Sequence, residues 1–262
     1  MRYVRLQMFN EHFHLCPGEL KHLQVMRKKF PLDFQGLYRN KVFEVTIESS
    51  GFLKKVTPVG ITVPGSSCFW IPLIDKNRME WAIEKLTELG AAAIVLFHSD
   101  HCTYSTKQIE KFSEKNRVNR FEKKIWAAAQ QSGNFAPPHL FGVYSILELQ
   151  KNHFCNRTFA WTVESEIVMQ LNDISCIRNS SEPYQIRDIL DDRLTHFIIG
   201  PEGDFSSNER KTLANIQWGC MNRSTILRSE TALVALAAQL SSEWLPSLSP
   251  IVEGSNEKAE PI

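Results

Sequence analysis

The sequence predicts an α/β fold, and its apolar patterning carries that prediction. From residue 68 onward, apolar runs of strand length alternate with stretches of helical spacing, which is typical of strand–helix units around a parallel sheet. One run, residues 91–97, is apolar without interruption, as a parallel strand buried on both faces should be. Residues 1–67 instead contain short β-prone runs separated by Pro, Gly and Asn, which indicates a separate β-rich module.

The β-rich module is predicted to hold short strands and one basic helix. The helix covers residues 22–30 and ends before Pro31, which cannot continue it. Turn-forming residues at 64–67 close the module, and the second domain follows over residues 68–245. The β-prone segments are residues 3–6, 37–38, 42–47 and 59–63.

Helical spacing locates two helices early in the second domain. After a buried strand at 68–74, apolar residues recur on one helix face and end at a glycine suited to a C-terminal cap. These positions are Met79, Ile83, Leu86 and Gly90. Residues 106–131 are predicted to form a long amphipathic helix with basic residues outside. Its inward positions are Ile109, Phe112, Phe121, Ile125 and Ala128.

The later elements are predicted from apolar runs and helix signals. Ser206 and Glu209 have the spacing of a capping box, and the helix that they open should end near Gly219. A further helix is expected over residues 230–244, and residues 246–262 should form a disordered tail rich in Pro, Ser and Glu. The expected strands are residues 140–143, 158–163, 196–199 and 225–227.

The charge of the chain is balanced overall but uneven along the sequence. The formal net charge of +1 excludes a globally basic nucleic-acid coat protein. Residues 1–64 nevertheless carry a net +5 and residues 107–124 a net +4, whereas residues 160–204 carry −6. Local basic charge is typical of a surface for RNA or another polyanion, and a solvated face explains it equally well.

The chain is expected to act in the cytoplasm, without membrane attachment. No apolar run approaches the length of a membrane span, and residues 11–14 interrupt any signal-peptide pattern. The six cysteines are scattered, as reduced thiols usually are. His98, Asp100, His101 and Cys102 could hold a metal, but no second ligand cluster accompanies them, so we favour an ordinary polar loop and predict no metal site.

Two strand-to-helix loops are the candidates for chemistry, because the familiar nucleotide-binding and nucleophile motifs are absent from the sequence. In the first loop, a strand runs into Gly-Pro-Glu-Gly at 200–203, where glycines let a ligand approach the backbone. A tight turn without a ligand explains that loop equally well. In the second, Ser229 suits a helix N-cap and Glu230 the first turn. Arg228 is a cation at the positive end of a helix dipole, which favours binding of an anion or substrate.

Both loops and several shorter segments match a known pattern. The loops read Ile-Gly-Pro-Glu-Gly-Asp-Phe-Ser at 199–206 and Ile-Leu-Arg-Ser-Glu-Thr-Ala at 226–232. Matching segments also occur, in the same order, at residues 22–27, 78–81, 87–90 and 128–133. Together they resemble the RsmE family of 16S rRNA uracil-N3 methyltransferases, within the SPOUT superfamily. Ribose-methylating SPOUT enzymes usually have a different final motif, so the resemblance favours base methylation.

The resemblance implies a fold, a cofactor and an assembly. The fold would be a SPOUT domain, whose parallel sheet contains a trefoil knot, preceded by a PUA-like β-barrel that binds RNA. The chain would bind S-adenosyl-L-methionine, methylate 16S rRNA of the small ribosomal subunit and act as a homodimer. The implied cofactor-binding residues are Ile199, Gly200, Pro201, Glu202, Gly203, Thr225, Ile226, Leu227, Ser229, Thr231 and Ala232.

The resemblance and the charge pattern also imply roles for further residues. Arg228 would stabilise the negative charge that develops on uracil as N3 loses its proton, because a guanidinium offers a fixed fork of donors. Glu230 would be the candidate general base, although its position as a helix-stabilising acidic residue competes with that role. The implied RNA-binding residues are Arg2, Arg5, His22, Arg27, Lys28 and Arg78.

The chain departs from the family pattern at glycine and arginine positions. The family usually has glycines where this chain has Asp204 and Arg223. Family arginines, which we expect to face RNA or the second subunit, are replaced by Asn134 and His101. These departures motivate an alternative function, either an RNA-binding protein on the same scaffold without catalysis or an enzyme with another RNA target.

Overall fold

The structure is a computed structural model. It describes residues 2–26, 28–102, 104–105, 108–109, 115–148, 158–161, 194–214, 216–219, 226–244 and 247–250. The chain forms two compact units, one of Met1–Val63 together with Ser247–Ile262, and one of Pro64–Pro246. Residues 247–250 therefore belong to the first unit, whereas we predicted domains of 1–67 and 68–245 with a separate tail.

The first unit is built on a six-stranded sheet. Its strands are β1 (Tyr3–Phe9), β2 (His12–Leu15), β3 (Leu32–Tyr38), β4 (Lys41–Ile47), β5 (Leu53–Val63) and, at the C-terminus, β12 (Ser247–Pro250). Their order in the sheet is β12-β5-β4-β3-β1-β2. Neighbours are antiparallel, except for β1 and β3, which are parallel. The sheet curls enough for β2 to contact β5, whereas its closure into a PUA-like barrel stays a prediction.

Two sequence predictions for the first unit need correction. The tail prediction is wrong for residues 247–250, because they pair antiparallel with β5, while residues 251–262 lie outside the described residues. The short helix, α1, covers Glu19–Val25 instead of residues 22–30. Its earlier start is stabilised by a tertiary contact, since Glu19 in the first turn is buried and pairs with Arg5 at 2.6 Å.

The second unit contains a parallel sheet, as the apolar runs predict. Its strands are β6 (Ser67–Pro72), β7 (Ala93–His98), β8 (His139–Ser145), β9 (Thr158–Trp161), β10 (Thr195–Ile199) and β11 (Gln217–Gly219). The order is β11-β9-β10-β6-β7-β8, and every described pair is parallel. All residues of β6 and β10 are buried, as central strands of such a sheet should be. The trefoil knot stays a prediction.

The helices of the second unit are α2 (Lys76–Glu88), α3 (Lys115–Ser132), α4 (Ser207–Thr212) and α5 (Ser229–Trp244). The predicted inward faces are confirmed where the structure describes them. Met79, Ile83 and Leu86 of α2 share one buried cluster with Phe121 and Ile125 of α3. Phe112 lies outside the described residues. No helix in the described ranges is both apolar and long enough to span a membrane.

The chain around residues 207–228 differs from the prediction. The helix opened by the capping box ends at Thr212 rather than near Gly219, and residues 217–219 form β11. The cause is tertiary, since the Trp218 ring packs on Phe205 and its indole N–H donates to the Leu213 carbonyl at 3.2 Å. The predicted strand at 225–227 is wrong for residues 226 and 227, which have no regular structure, while Thr225 lies outside the described residues.

Candidate active site

The two candidate loops meet at a buried hydrogen bond. The Ser229 hydroxyl donates to the carbonyl oxygen of Gly200 at 2.7 Å. Gly200 directly follows β10, and Ser229 opens α5, so the bond joins the end of a central strand to the start of a helix. The structure thus places the predicted cofactor residues of both loops side by side, apart from Thr225, which it does not describe.

The bond at Ser229 replaces the predicted N-cap. The helix α5 begins at Ser229 itself, and the Ala232 N–H donates to the carbonyl of Arg228, so Arg228 occupies the N-cap position. A capping serine would accept a hydrogen bond from its own helix, but this serine donates its hydroxyl hydrogen to another loop. The N-cap interpretation of Ser229 is therefore wrong.

A buried carboxylate lies at the start of α5. Glu230 is only 7% exposed, and its Oε1 lies 3.8 Å from the Nε of Arg78. Its Oε2 is buried and has no hydrogen-bond partner among the described groups. A buried carboxylate oxygen without a donor is unfavourable, so this atom is available to a ligand or to a proton.

Arg78 connects the two loops electrostatically. It lies in the first turn of α2, whose N-terminus is capped by the Asp75 side chain. Its guanidinium pairs with Glu202 of the first loop and also faces Glu230 of the second. We predicted Arg78 as an RNA contact, and the structure places it between two carboxylates of the candidate cofactor site.

Two side chains of the second loop extend into solvent. Ile226 is 81% exposed, and Arg228 is exposed and makes no ion pair with any residue that the structure describes. Thr231 is also exposed, whereas Leu227 and Ala232 are half-buried. An apolar side chain and a guanidinium are thus exposed close to the Ser229–Gly200 junction, where they could contact a ligand.

The first loop is closely packed around Gly200. A methyl group at Gly200 would lie 2.8 Å from Oδ1 of Asp204 and 3.1 Å from the Phe205 ring. Asp204 has a left-handed φ of 57°, which explains why the family usually has glycine there. Its Oδ1 accepts from the Phe205 N–H, and its Oδ2 accepts from Arg210, each at 2.8 Å. These bonds stabilise a conformation that aspartate tolerates better than most residues.

Replacing Gly200 by alanine should therefore destabilise the protein by about 1–3 kcal/mol, the usual range for overpacking a buried site. The free energy of unfolding in urea measures this effect. Gly142→Ala is the matched control, because a methyl group at Gly142 would meet no atom within 4 Å. Equal stabilities of the two variants would contradict the close packing at Gly200.

His101 forms hydrogen bonds with backbone carbonyl oxygens of the first loop. Its Nδ1 lies 2.7 Å from the Gly203 carbonyl oxygen and 2.8 Å from that of Asp204. Because both oxygens are acceptors, Nδ1 must carry the hydrogen. We expected the family arginine at this position to face RNA or a second subunit, and in this chain the histidine that replaces it binds the candidate cofactor loop.

These contacts predict a pH dependence. Hydrogen bonds to the carbonyl oxygens of Asp204 and Gly203 raise the pKa of His101 above its ordinary value of 6.5, because they favour the protonated ring. The added stabilisation of the loop is fully present at pH values below the ordinary pKa and is lost as the pH rises through the raised pKa. NMR titration of the ring protons should give a value above 6.5, with the urea-unfolded chain as control. A folded-state value at or below that of the unfolded chain would contradict the contacts.

Glu209 joins this loop to the end of β7, which the sequence did not reveal. The capping box is confirmed, because Ser206 accepts from the Glu209 N–H and the Glu209 carboxylate accepts from the Ser206 N–H at 2.8 Å. The same carboxylate also accepts from the Ser99 hydroxyl at 3.0 Å and from the Asp100 N–H at 2.9 Å. The capping motif was the one signal for Glu209, and it gave no indication of this second contact.

Among the remaining departures from the family pattern, the structure describes Asn134, and it also describes the possible metal ligands. Asn134 is buried, donates to the Thr87 carbonyl at 2.9 Å and accepts from the Ala136 N–H at 2.8 Å, so the expectation that this position faces RNA or a partner is wrong. Arg223 lies outside the described residues. Asp100 accepts a hydrogen bond from Ser206, and the described residues include no His, Cys, Asp or Glu group arranged to hold a metal.

The predicted RNA-binding residues of the first unit differ in their surroundings. Arg2, His22 and Lys28 are exposed, whereas Arg5 is half-buried in its ion pair with Glu19. Arg27 lies outside the described residues. An RNA contact by any of these side chains stays a prediction.

Comparison with known proteins identifies the family. Residues 66–241 match the family model described as the RNA methyltransferase domain. The chain belongs to this RNA methyltransferase family. A relative from Rickettsia conorii (strain ATCC VR-613 / Malish 7), named ribosomal RNA small subunit methyltransferase E, is 27% identical over 172 residues. These cover 65% of this chain and 62% of that relative, so the match spans less than two thirds of its length. The predicted resemblance to the RsmE family is thereby confirmed.

Solved structures share the fold of this chain. A methyltransferase from Legionella pneumophila in complex with the cofactor SAM has a TM-score of 0.67 and 20% identity, covering 92% of this chain and 98% of that chain. A ribosomal RNA small subunit methyltransferase E from Neisseria gonorrhoeae, bound to S-adenosyl methionine, has a TM-score of 0.62 and 19% identity, covering 86% and 89%. At these identities, the likeness shows a common fold.

Proposed function

We propose that this chain transfers the methyl group of S-adenosyl-L-methionine to N3 of a uracil in 16S rRNA of the small ribosomal subunit. The observation that carries the proposal is the junction of the two loops. There, Ser229 binds Gly200, Glu230 presents a buried oxygen without a partner, and Arg228 is exposed beside it. Family membership and the names of the relatives support the reaction class.

The residues at the junction fit the cofactor. Its planar, largely apolar base could lie on the side chain of Ile226, which is exposed there. Residues 200 and 203 are glycines, so no side chain separates a ligand from the backbone of the first loop at these positions. The cofactor would supply an electrophilic methyl group when bound. The residues that would hold it are Ile199, Gly200, Pro201, Glu202, Gly203, Thr225, Ile226, Leu227, Ser229, Thr231 and Ala232.

Glu230 and Arg228 would act on the uracil, one by accepting its proton and the other by stabilising its negative charge. Uracil N3 carries a proton, and as the bond from N3 to the methyl carbon forms, that proton must leave. Oε2 of Glu230 is the acceptor, because it has no hydrogen-bond partner among the groups that the structure describes. The Arg228 guanidinium stays protonated, so it cannot be the base, and it stabilises the negative charge that spreads to the uracil carbonyl oxygens.

The proposal extends to the fold around the site and to the assembly. We propose a trefoil knot that includes both loops, a PUA-like barrel formed by the first unit, and a homodimer. The resemblance of the motifs supports all three. The order of the parallel sheet, with β10 between β9 and β6, is compatible with the knot.

The test of this function is methylation in vitro. The chain is incubated with labelled S-adenosyl-L-methionine and small ribosomal subunits that lack the modification, and the rRNA nucleosides are analysed by mass spectrometry. We expect 3-methyluridine. Absence of cofactor binding at millimolar concentration in calorimetry would overturn the proposal. RNA binding without any methylated product would instead establish the alternative, a non-catalytic RNA-binding protein. Asn134 no longer supports that alternative, because its side chain is buried.

A further inference from the structure

The first unit contains a cavity of about 420 Å³ that the proposed reaction does not use. It is lined by the β1–β2 hairpin, by Pro17, Gly18 and Leu20 around the start of α1, and by the turn at Ser50 and Gly51. We propose that this cavity binds an unpaired base of the RNA substrate. This inference rests on the proposed function for the identity of the RNA, and on the cavity itself for the mode of binding.

One wall of the cavity is an exposed aromatic platform. Phe9 is 65% exposed, and its ring lies edge-on to the His14 ring, with 6.4 Å between centroids. The register of the hairpin pairs Gln7 with His14 and Phe9 with His12, so these four side chains share one face of the hairpin. Phenylalanine and histidine rings on an exposed face are the groups on which proteins stack unpaired RNA bases.

The hairpin geometry holds this platform in place. Asn10 and Glu11 connect the two strands, and their φ values are left-handed, 47° for Asn10 and 63° for Glu11. Such a pair forms the tight two-residue turn that matches the twist of its strands, although a non-glycine residue at the second position is unfavourable. Phe9 immediately precedes this turn, so its ring is presented from a constrained backbone rather than from a loose loop.

Another wall of the cavity is the turn at Ser50 and Gly51. Gly51 has a φ of 88°, and a methyl group there would lie 2.9 Å from a methyl carbon of Leu20 in α1, so the turn packs tightly against the helix. The exposure of Phe9 on the hairpin wall is poorly explained by folding, because burial would stabilise this side chain.

The size and chemistry of the cavity favour a base over a protein partner. Its volume lies within the range of small-ligand sites, whereas a stable protein interface needs a much broader surface. None of the ten described residues that line it is acidic. Gln7, His14 and Ser50 offer uncharged donors and acceptors for the edge of a base, and residues 1–64 carry a net charge of +5 that suits the phosphate backbone.

The test measures binding of a short fluorescent oligouridine to the full chain by anisotropy. Phe9→Ala should weaken binding by about 10-fold or more, since one aromatic stack contributes on that order. Phe9→Tyr should retain binding, because tyrosine keeps the ring. Met8→Ala is the matched control, since Met8 is also exposed, at 46%, and lies on the opposite face of the same strand. Thermal melting establishes that each variant is folded.

Equal binding by Phe9→Ala and Met8→Ala would overturn the inference, as would equal affinity for a fully paired RNA duplex of the same charge. Calorimetry with S-adenosyl-L-methionine distinguishes a failure of this inference from a failure of the proposed function. If Phe9→Ala loses oligouridine binding but binds the cofactor as the wild type does, the cavity is an RNA subsite apart from the cofactor loops. If the wild type binds oligouridine through Phe9 but binds no cofactor, the proposed function fails and the subsite stands.

Discussion

Replacing Arg228 by alanine should reduce the rate of methyl transfer by about 10²- to 10³-fold, the usual effect of removing one donor that stabilises charge in a transition state. The side chain is exposed at the N-cap of α5 and makes no ion pair within the described part of the chain, so its removal should leave the fold intact. Single-turnover transfer of labelled methyl to small-subunit rRNA measures the rate, and calorimetry should show unchanged binding of S-adenosyl-L-methionine.

Two further variants define the role of Arg228. Arg228→Lys keeps the positive charge without the planar fork of donors, so its rate should lie between those of the wild type and the alanine variant. Lys211→Ala removes an exposed positive charge from α4 and should leave the rate unchanged. Equal rates for wild type and Arg228→Ala would exclude a catalytic role for this arginine.

Replacing Glu230 by glutamine should reduce methyl transfer by about 10²- to 10⁴-fold, the range typical of general acid–base catalysis. Glutamine has nearly the same shape but cannot accept the uracil proton. The measurement is single-turnover methyl transfer by the two proteins at one fixed pH.

A purely structural role for Glu230 makes a different prediction. Its carboxylate lies at the positive end of the α5 dipole and faces Arg78, so glutamine could simply lower the stability. A lower melting temperature with an unchanged rate of methyl transfer would contradict the role as base. Glu122→Gln, at an exposed position of α3, is the control for loss of one negative charge.

Several patterns that extend over only a few residues predicted the structure correctly. The uninterrupted apolar run at 91–97 predicted a buried parallel strand, and β7 is one. The spacing of Met79, Ile83 and Leu86 predicted the buried face of α2. The capping box at Ser206 and Glu209 was also correct, because it depends only on residues three apart. The resemblance of the two loops to a known family pointed to the region where the structure now places the candidate site.

Contacts between distant segments could not be read in this way. The bond from Ser229 to Gly200 spans 29 residues, and the bond from Ser99 to Glu209 spans 110. The second bond forms because the parallel sheet brings the carboxyl ends of β7 and β10 to one edge. The errors at residues 217–219 and 247–250 also arise from distant contacts, since each segment becomes a strand by pairing with a strand far away in the sequence.

The sequence by itself therefore determined the class of fold, the two loops and the charged residues that they carry, since these follow from local periodicity and from motifs. Only the tertiary structure decided what those residues contact. It gave Ser229 a partner in the other loop, placed Arg78 between two carboxylates and left one oxygen of Glu230 buried without a donor. The physical reason is that burial and hydrogen-bond partners depend on which segments pack together, and local spacing does not specify that packing.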